Sequence, residues 1–225
     1  MVISRKRLTP VDVIGVLDLQ GDVVEHVDHL ERLGITAVRV KEPSDFVHLA
    51  GLIIPGGEST CLSRLLNIFG IREIILREFQ RGLKLWGTCA GTILLAGKVM
   101  DESPCLSLID IEVQKNAFGS QLDSFTAEVT VPRVAPKPIP LTFIRAPKIT
   151  RVGRAVDVLL RQDDYIVAAE SHNVLVTVFH PELTPSLAFH RYFALKCGLK
   201  PSADEESSVI DPTWNSRSWT RYARF

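Results

Sequence analysis

The chain has 225 residues, a length that fits one α/β domain, and 46 % of them are apolar, which is enough for a sizeable core. Lysine plus arginine and aspartate plus glutamate number 26 each, so the formal net charge of zero gives no electrostatic reason to expect a nucleic-acid or membrane partner. The four cysteines include no Cys-x-x-Cys pair, and no apolar run reaches the ~18 residues of a membrane span. We therefore expect a cytoplasmic protein without a metal site.

The first half of the chain alternates short apolar runs with segments of helical periodicity. The predicted strands cover residues 13–19, 36–40, 51–54 and 83–86, and the predicted helices cover 22–33, 58–69 and 72–80. A further helix is expected to begin just after Gly91. Alternation of this kind predicts a parallel sheet with helices on both faces.

The second half contains mostly strand-like segments, at 109–113, 124–131, 141–144, 155–161, 165–170 and 174–179. These strands predict an antiparallel extension of the sheet. Residues 132–140 contain four prolines and are predicted to form a loop. A helix over 185–195 closes the predicted domain, 1–200. The tail, 201–225, begins with a composition typical of disorder and then carries aromatic and arginine residues, so it is either a free end or an arm that docks on a partner.

The segment Gly87-Thr88-Cys89-Ala90-Gly91 is the strongest functional signal in the chain. It has the Gly-x-nucleophile-x-Gly pattern of a tight turn between a strand and a helix. Glycines are expected on both sides of the cysteine because such a turn crowds the backbone. The start of the following helix favours a thiolate. The pattern predicts that Cys89 is a nucleophile.

A cysteine nucleophile needs a base, and His180-Pro181-Glu182 follows the last predicted strand. In an extended backbone the side chains of His180 and Glu182 would point to the same side. Glu182 would then accept a hydrogen bond from the imidazole, as the third member of a catalytic triad does. The other histidines are weaker candidates, because most of them lie on predicted helices.

Pro55-Gly56-Gly57-Glu58 follows the third predicted strand and opens a helix. Paired glycines let the backbone approach a substrate, and their N–H groups are suited to hold the oxyanion that forms when a thiolate attacks an amide. A phosphate-binding loop fits poorly, because no Gly-Lys-[Ser/Thr] follows.

Together these segments resemble the class I glutamine amidotransferases and, within them, the glutaminase subunits of pyridoxal 5′-phosphate synthase. The resemblance runs from about residue 11 to 199. The cysteine and His-Pro-Glu motifs are shared across amidotransferases, whereas the other motifs are typical of the subfamily. The matching segments are Ile14-Gly15-Val16-Leu17-Asp18-Leu19-Gln20-Gly21, Leu52 to Thr60, Trp86 to Gly91, Asn116-Ala117-Phe118-Gly119, Phe143-Ile144-Arg145-Ala146-Pro147 and Phe179 to Leu183.

The resemblance implies a fold and a set of site residues. The fold would be a flavodoxin-like three-layer α/β sandwich, with a mixed sheet and helices on both faces. Cys89, His180 and Glu182 would form the catalytic triad. The N–H groups of Gly57 and Ala90 would bind the oxyanion. The substrate-binding residues would be Gly57, Glu58, Ser59, Lys115, Ile144 and Arg145.

The resemblance also implies partners. The substrate would be L-glutamine, and the ammonia would pass to a synthase subunit with a (β/α)₈ barrel fold, within a large hetero-oligomer. Gln20 would lie near the interface with that subunit. No cofactor is implied for this chain. Neither a nucleic-acid nor a membrane partner is expected.

Some residues depart from the family pattern. Lys115 stands where the family usually has arginine, and it keeps the charge but loses the bidentate fork. Ser120 replaces a common arginine, Lys148 a common histidine, and Asp18 a small residue. Three alternatives therefore stay open: a glutaminase of another amidotransferase pathway, a non-catalytic regulatory subunit, and a cysteine hydrolase or protease of the same fold.

Overall fold

The computed structural model describes residues 13–115, 124–162 and 164–202. The described α-helices are α1 (Val23–Arg32), α2 (Ser59–Ile68), α3 (Ile71–Gln80), α4 (Ala90–Leu95) and α5 (Ala188–Lys196), and 3₁₀ turns cover Pro43–Asp45 and Pro181–Leu183. The described strands are β1 (Val13–Leu17), β2 (Ala37–Val40), β3 (Leu49–Ile54), β4 (Lys84–Thr88), β5 (Ala96–Val99), β6 (Ile109–Gln114), β7 (Phe125–Val131), β8 (Ala135–Phe143), β9 (Lys148–Val152), β10 (Asp157–Gln162), β11 (Tyr165–Glu170) and β12 (Val174–Thr177).

Five parallel strands form the centre of the main sheet, in the order β2-β1-β3-β4-β12. This is the flavodoxin-like order, and the sequence prediction of the fold is confirmed. Trp86 on β4 lies opposite Ile53 on β3 and Leu175 on β12, and all three side chains are buried. Strands that are covered on both faces are apolar throughout, which explains the unbroken apolar runs of the sequence.

The helices divide between the two faces of the sheet. The chain leaves β1 through α1 to reach β2 on one side, and leaves β3 through α2 and α3 to reach β4 on the other side. Connections of this kind are right-handed in almost all proteins, and this rule places α1 on the opposite face from α2 and α3. Helix α5 packs against α1, whereas α2 packs against α3 and α4.

The predicted antiparallel extension is also present. Strand β11 runs antiparallel to β12, β10 and β9, and β9 runs antiparallel to β6. Strands β5 and β9 were not predicted from the sequence. Strand β5 follows α4 directly, so the helix after Gly91 ends sooner than its apolar pattern indicates.

The prediction of a loop over residues 132–140 was wrong. Residues 135–143 form β8, which pairs with β7 in a separate two-stranded sheet. Pro136 and Pro138 are exposed, while Ala135, Ile139 and Leu141 face the core. Prolines are tolerated on an edge strand, and each strand of a two-stranded sheet is an edge. The alternation of proline with buried apolar residues is therefore a strand pattern.

The C-terminal helix begins at Ala188, three residues later than predicted, and the chain then returns to the first helix. Ser202 donates hydrogen bonds from its backbone N–H and its hydroxyl to the carbonyl oxygen of Leu33, at 2.8 and 3.1 Å. The fold therefore holds the chain as far as residue 202. The rest of the predicted tail, 203–225, lies outside the described residues, as do Ser120 and the segment from Asn116 to Gly119. In the described ranges, no helix combines the length and the apolar character that crossing a bilayer requires.

Candidate active site

A cavity of about 570 Å³ lies at the carboxyl ends of the parallel strands β1, β3 and β4 and beyond the end of β12. Ligand sites of parallel sheets gather at this edge. Every predicted site residue lines the cavity except Glu182, which lies behind His180. The lining residues among those predicted are Gln20, Gly57, Glu58, Ser59, Cys89, Ala90, Lys115, Ile144, Arg145 and His180.

Cys89 occupies a strained turn between β4 and α4. Its backbone has φ 47° and ψ −105°, a conformation that side chains rarely adopt. A Cβ atom on Gly91 would lie 2.0 Å from the carbonyl oxygen of Ile54, and one on Gly87 would lie 2.5 Å from the backbone of Gly91. The prediction that crowding requires both glycines is confirmed. The turn places the sulfur in the cavity, 4.0 Å from the carbonyl oxygen of Ile144.

His180 and Glu182 form a buried hydrogen-bonded pair. His180 Nδ1 lies 2.8 Å from Glu182 Oε1, and the two residues are 6 % and 0 % exposed. Since an ionised carboxylate only accepts, Nδ1 carries the proton of this bond. The sequence pattern predicted that these two side chains would meet across an extended segment, and this prediction was wrong. Pro181 instead begins a 3₁₀ turn, which suits its fixed φ, and the turn folds Glu182 back to the ring.

The imidazole of His180 and the side chain of Cys89 line the same cavity. Burial alone would lower the pKa of His180, but the Glu182 carboxylate, and then Cys89 and Asp22, raise it well above its usual value. Burial raises the pKa of Glu182, and the neighbouring imidazole of His180 opposes that rise. A Cβ atom on Gly56 would lie 2.5 Å from His180 Cε1 and 3.4 Å from Cys89 Cβ, so this glycine lets the backbone approach both residues closely.

The predicted substrate-binding residues of the glycine turn line the cavity. The carboxylate of Glu58 accepts hydrogen bonds from the backbone N–H groups of Thr60, at 2.8 Å, and Cys61, at 2.6 Å, and so caps α2. These bonds, the one from Thr60 first, hold the pKa of Glu58 below its usual value. Gln20, predicted to lie at an interface, lines the cavity and accepts a hydrogen bond from the backbone N–H of Glu58 at 3.2 Å. Arg145, which also lines the cavity, has a φ of 44°.

Lys115 lies in the cavity beside a residue that the sequence analysis missed. Its Nζ donates to Oε2 of Glu102 at 2.5 Å, and Glu102 also lines the cavity. Glu102 precedes β6 in an irregular segment that belongs to no recognised motif, so the sequence offered no signal for it. The cation predicted to hold a substrate carboxylate is thus paired with a protein carboxylate.

Asp22 is a second residue that the sequence analysis did not assign to the site. It precedes the first residue of α1, yet its side chain makes no capping hydrogen bond, and its Oδ2 lies 3.6 Å from His180 Nδ1. Asp22, His180 and Glu182 offer donor atoms within 4.8 Å of one another, as a divalent cation would require. However, His180 Nδ1 and Glu182 Oε1 already bond to each other, so a cation there would have to break that bond.

The carboxylate of Asp18 forms ion pairs with two basic side chains. Its Oδ2 lies 2.7 Å from Arg39 Nε and 3.3 Å from Lys41 Nζ, both on or next to β2. This departure from the family pattern therefore adds no unpaired charge near Gln20. Another departure, Lys148, has its ammonium 3.5 Å from the centre of the Tyr165 ring, on the antiparallel part of the sheet.

A second cavity, of about 520 Å³, is lined by β8 and α5. Glu170 gathers several of its polar groups: this buried carboxylate accepts from Tyr192 at 2.6 Å and from Lys196 at 2.7 Å, and contacts Arg133 at 2.9 Å. The hydroxyl of Tyr192 has its pKa raised to about 12, chiefly by burial and by this bond. The cluster links the turn between β7 and β8, and strand β11, to α5, and we assign it a structural role.

Comparison with solved structures supports the fold. A structure described as a glutamine amidotransferase superposes with a TM-score of 0.78 at 41 % identity, over 83 % of this chain and 100 % of that one. A chain from a structure of PurLQS from Thermotoga maritima superposes with a TM-score of 0.60 at 15 % identity, over 82 % of this chain and 98 % of that one, which supports the fold alone. The fold, with an elbow cysteine facing a His–Glu pair, defines a class I glutamine amidotransferase.

Sequence comparison then gives the family. The model of the SNO glutamine amidotransferase family matches residues 16–199, and the chain belongs to this family. A relative from Syntrophus aciditrophicus is 59 % identical over 94 % of this chain and 95 % of its own length. One from Clostridium botulinum is 51 % identical over 80 % of this chain and 94 % of its own length. Both are named pyridoxal 5′-phosphate synthase subunit PdxT.

Proposed function

We propose that this protein is a glutaminase, which hydrolyses L-glutamine to L-glutamate and ammonia for the synthesis of pyridoxal 5′-phosphate. One observation carries the proposal: His180, joined to Glu182 at 2.8 Å, lines the same cavity as Cys89, which stands at a strained elbow. The names of the relatives supply the pathway, since they are called subunits of pyridoxal 5′-phosphate synthase.

The first half of the reaction forms a thioester. The Cys89 thiolate attacks the side-chain amide carbon of glutamine, and the carbonyl oxygen becomes an oxyanion. The backbone N–H groups of Gly57 and Ala90, both at the cavity, hold this oxyanion. The C–N bond then breaks, and His180 gives its proton to the departing nitrogen, which leaves as ammonia.

The second half of the reaction hydrolyses the thioester. The neutral imidazole of His180 takes a proton from water, and the resulting hydroxide attacks the thioester carbon. The C–S bond breaks, L-glutamate leaves, and Cys89 returns to the thiolate. Glu182 stabilises the imidazolium that forms in this step, through the bond to Nδ1.

The remaining cavity residues hold the substrate. Lys115 and Arg145 supply positive charge for the α-carboxylate of glutamine, and Lys115 meets it as a point charge without the fork of an arginine. The backbone of Gly57, Glu58 and Ile144 and the hydroxyl of Ser59 hydrogen-bond the polar groups of the substrate. The carboxylate of Glu58 keeps the turn in place by capping α2.

The ammonia passes to a synthase subunit, which we propose is a (β/α)₈ barrel in a large cytoplasmic hetero-oligomer. Gln20 lies close to the contact with that subunit, and its bond to the N–H of Glu58 links the contact to the cavity. A non-catalytic role is less well supported, because Asp18 is paired with Arg39 and Lys41 and adds no unpaired charge there.

The direct test is glutamate release by the full chain mixed with a cognate synthase subunit. We expect Cys89→Ala to release no glutamate above background, and Cys105→Ala to release it at the wild-type rate. Turnover by the Cys89→Ala variant would disprove the mechanism. A wild-type protein that releases no glutamate in the complex would favour the regulatory alternative, and release only with an unrelated synthase would favour another amidotransferase pathway.

A further inference from the structure

Two histidines of the core lie directly behind the proposed catalytic residues. His26 is on α1 and His190 is on α5, and both are 0 % exposed. His26 Nδ1 lies 2.8 Å from His190 Nε2, a hydrogen-bonding distance. Both rings contact the indole of Trp86 edge-on, at centroid distances of 5.7 and 4.9 Å. Packing against Trp86 therefore fixes the two imidazoles in place.

The His26 ring faces the free oxygen of Glu182. Oxygen Oε1 of Glu182 is bonded to His180, whereas Oε2 is buried and, within the part of the chain that the structure describes, has no hydrogen-bond partner at ordinary distance. His26 Nε2 lies 3.6 Å from this oxygen. A buried carboxylate oxygen without a donor is costly, so a small approach of the ring and the carboxylate would be favourable.

The hydrogen-bond chain fixes where the protons lie. Burial, and then neighbouring histidines, keep the pKa values of His26 and His190 well below the usual value, so both rings are neutral and each carries one N–H. If His26 carries its hydrogen on Nε2, it donates towards Glu182 and accepts from His190 Nε2–H. His190 Nδ1 is then a bare acceptor, which agrees with its lack of a partner among the described residues.

The opposite placement of the ring hydrogens is unfavourable at both ends of this hydrogen-bond chain. With the hydrogen on His26 Nδ1, a nitrogen lone pair would face the carboxylate of Glu182. The buried His190 would then carry its hydrogen on Nδ1, where that N–H would be unpaired. The hydroxyl of Thr88, 3.5 Å from His26 Nε2, offers a weaker alternative partner than a carboxylate.

We propose that His26 is a positioning residue of the active site, which donates from Nε2 to Glu182 Oε2 and is oriented by His190. The proposal rests on the proposed glutaminase function. Held at both oxygens, the carboxylate keeps Oε1 aimed at His180 Nδ1, and so keeps the imidazole aligned with Cys89. His26 acts only through Glu182 and does not touch the substrate cavity.

The first test concerns the tautomers in the wild-type protein and needs no activity. Two-bond ¹H–¹⁵N NMR spectra of the histidine rings, assigned with His26→Gln and His190→Gln, separate Nε2–H from Nδ1–H forms. We expect both rings to be neutral with the hydrogen on Nε2. A hydrogen on His26 Nδ1 would overturn the proposal, whatever the enzyme does.

The second test compares variants in the glutamate-release assay with the synthase subunit. His26→Leu removes the donor, and we expect kcat to fall about tenfold with an unchanged KM, because one hydrogen bond to a charged group is lost. The amide of His26→Gln keeps a donor at the same position and should restore most of kcat. His29→Leu is the matched control, a neighbouring buried histidine on α1 whose ring nitrogens lie 2.9 and 3.0 Å from the backbone carbonyl oxygens of Glu25 and Thr184.

The control should lose stability but keep its kcat. Equal losses of kcat in His26→Leu, His26→Gln and His29→Leu would show a purely structural role and contradict the proposal. If His26→Leu does not fold, the tautomer measurement on the wild-type protein decides whether His26 donates to Glu182. A wild-type protein that shows the expected tautomers but releases no glutamate would reject the proposed function and leave the hydrogen-bond chain standing.

Discussion

At the scale of single residues, the pair formed by Lys115 and Glu102 has the clearest functional consequence. The side chain of Lys115 is only 17 % exposed and already has a carboxylate partner in Glu102. In the proposed binding mode, the α-carboxylate of glutamine competes with Glu102 for the same cation. Because an arginine has more donors than a lysine, it would serve both carboxylates at once, whereas Lys115 serves them less well.

Removing the competing charge should strengthen substrate binding. We expect Glu102→Gln to lower the KM for glutamine about two- to fivefold with little change in kcat, since partly exposed ion pairs contribute ~0.2–1 kcal/mol. Steady-state kinetics of glutamate release measures both constants. Glu73→Gln, which breaks the exposed pair with Arg72 outside the cavity, is the control and should change neither. A higher KM in Glu102→Gln would show that Glu102 supports binding.

The residues of the site differ in how far the sequence reveals them. Cys89 and His180 stand in short motifs whose chemistry limits the residue types, so they were found before the structure. Asp22, His26 and Glu102 were not, because each reaches the site through tertiary packing. Asp22 in particular directly precedes a helix, where an aspartate commonly caps the helix. In the structure its side chain makes no capping bond and lies beside His180.

At the scale of elements, the elbow between β4 and α4 combines a strained backbone with close packing. It depends on close packing of Gly91 against the end of β3, where the neighbouring atom is the carbonyl oxygen of Ile54. A backbone oxygen cannot move aside as the end of a flexible side chain does. The elbow is therefore intolerant of a single added methyl group.

Gly91→Ala should lower the free energy of unfolding by about 3 kcal/mol or more, because the added Cβ would sit 2.0 Å from the carbonyl oxygen of Ile54. Gly70→Ala is the control. Gly70 has a φ of 66°, but nothing lies within 4 Å of an added Cβ. We expect the control to cost only about 1–2 kcal/mol, from backbone conformation alone. Urea unfolding followed by circular dichroism measures both values, and equal losses would refute the steric argument.

Elements were predictable where periodicity and context agreed. The apolar runs of β1, β3 and β4 and the helical spacing of α1 correspond to their observed positions within a few residues. The end of β8 was predicted as a strand from residue 141, but its first part was missed because proline content outweighed the alternation of Ala135, Ile139 and Leu141 in the prediction. The end of α4 was not predicted, because an apolar run that passes from a buried helix into a buried strand has no break in its sequence.

At the scale of the whole molecule, the parallel sheet brings together segments that are distant in the chain. Cys89 follows β4 and His180 follows β12, and these two strands are neighbours with Val176 opposite Gly87. The core behind them holds three buried histidines, His26, His29 and His190. The architecture that aligns the site therefore also places titratable groups in the core.

This arrangement predicts how stability depends on pH. Burial is the main cause that lowers the pKa values of His26, His29 and His190 from 6.5, so the unfolded state binds more protons below that pH. Stability should fall as the pH drops below about 6.5, by up to ~1.4 kcal/mol per pH unit for each group. His180 acts in the opposite direction. Its pKa is raised, so the stability that it contributes is complete below pH 6.5 and is lost only as the pH rises.

Replacing one of these histidines with a neutral residue isolates the effect. Between pH values of about 6.5 and 5.5 we expect His190→Gln to lose less stability than the wild-type protein does, although it starts from a lower value. Denaturant unfolding at several pH values gives the two slopes. Parallel slopes would mean that folding does not lower the pKa of His190.

The central claim is that Cys89 is the nucleophile that attacks the amide of glutamine. The described chain has four free cysteines, Cys61, Cys89, Cys105 and Cys197, and burial raises the pKa of Cys197 to about 12. The most direct measurement is intact-mass and peptide mass spectrometry after incubation with 6-diazo-5-oxo-L-norleucine, an electrophilic glutamine analogue, in the presence of the synthase subunit. We predict one adduct per chain, on Cys89, that excess glutamine prevents and His180→Ala abolishes. An unmodified Cys89, or an adduct on another cysteine at the same rate, would contradict this assignment.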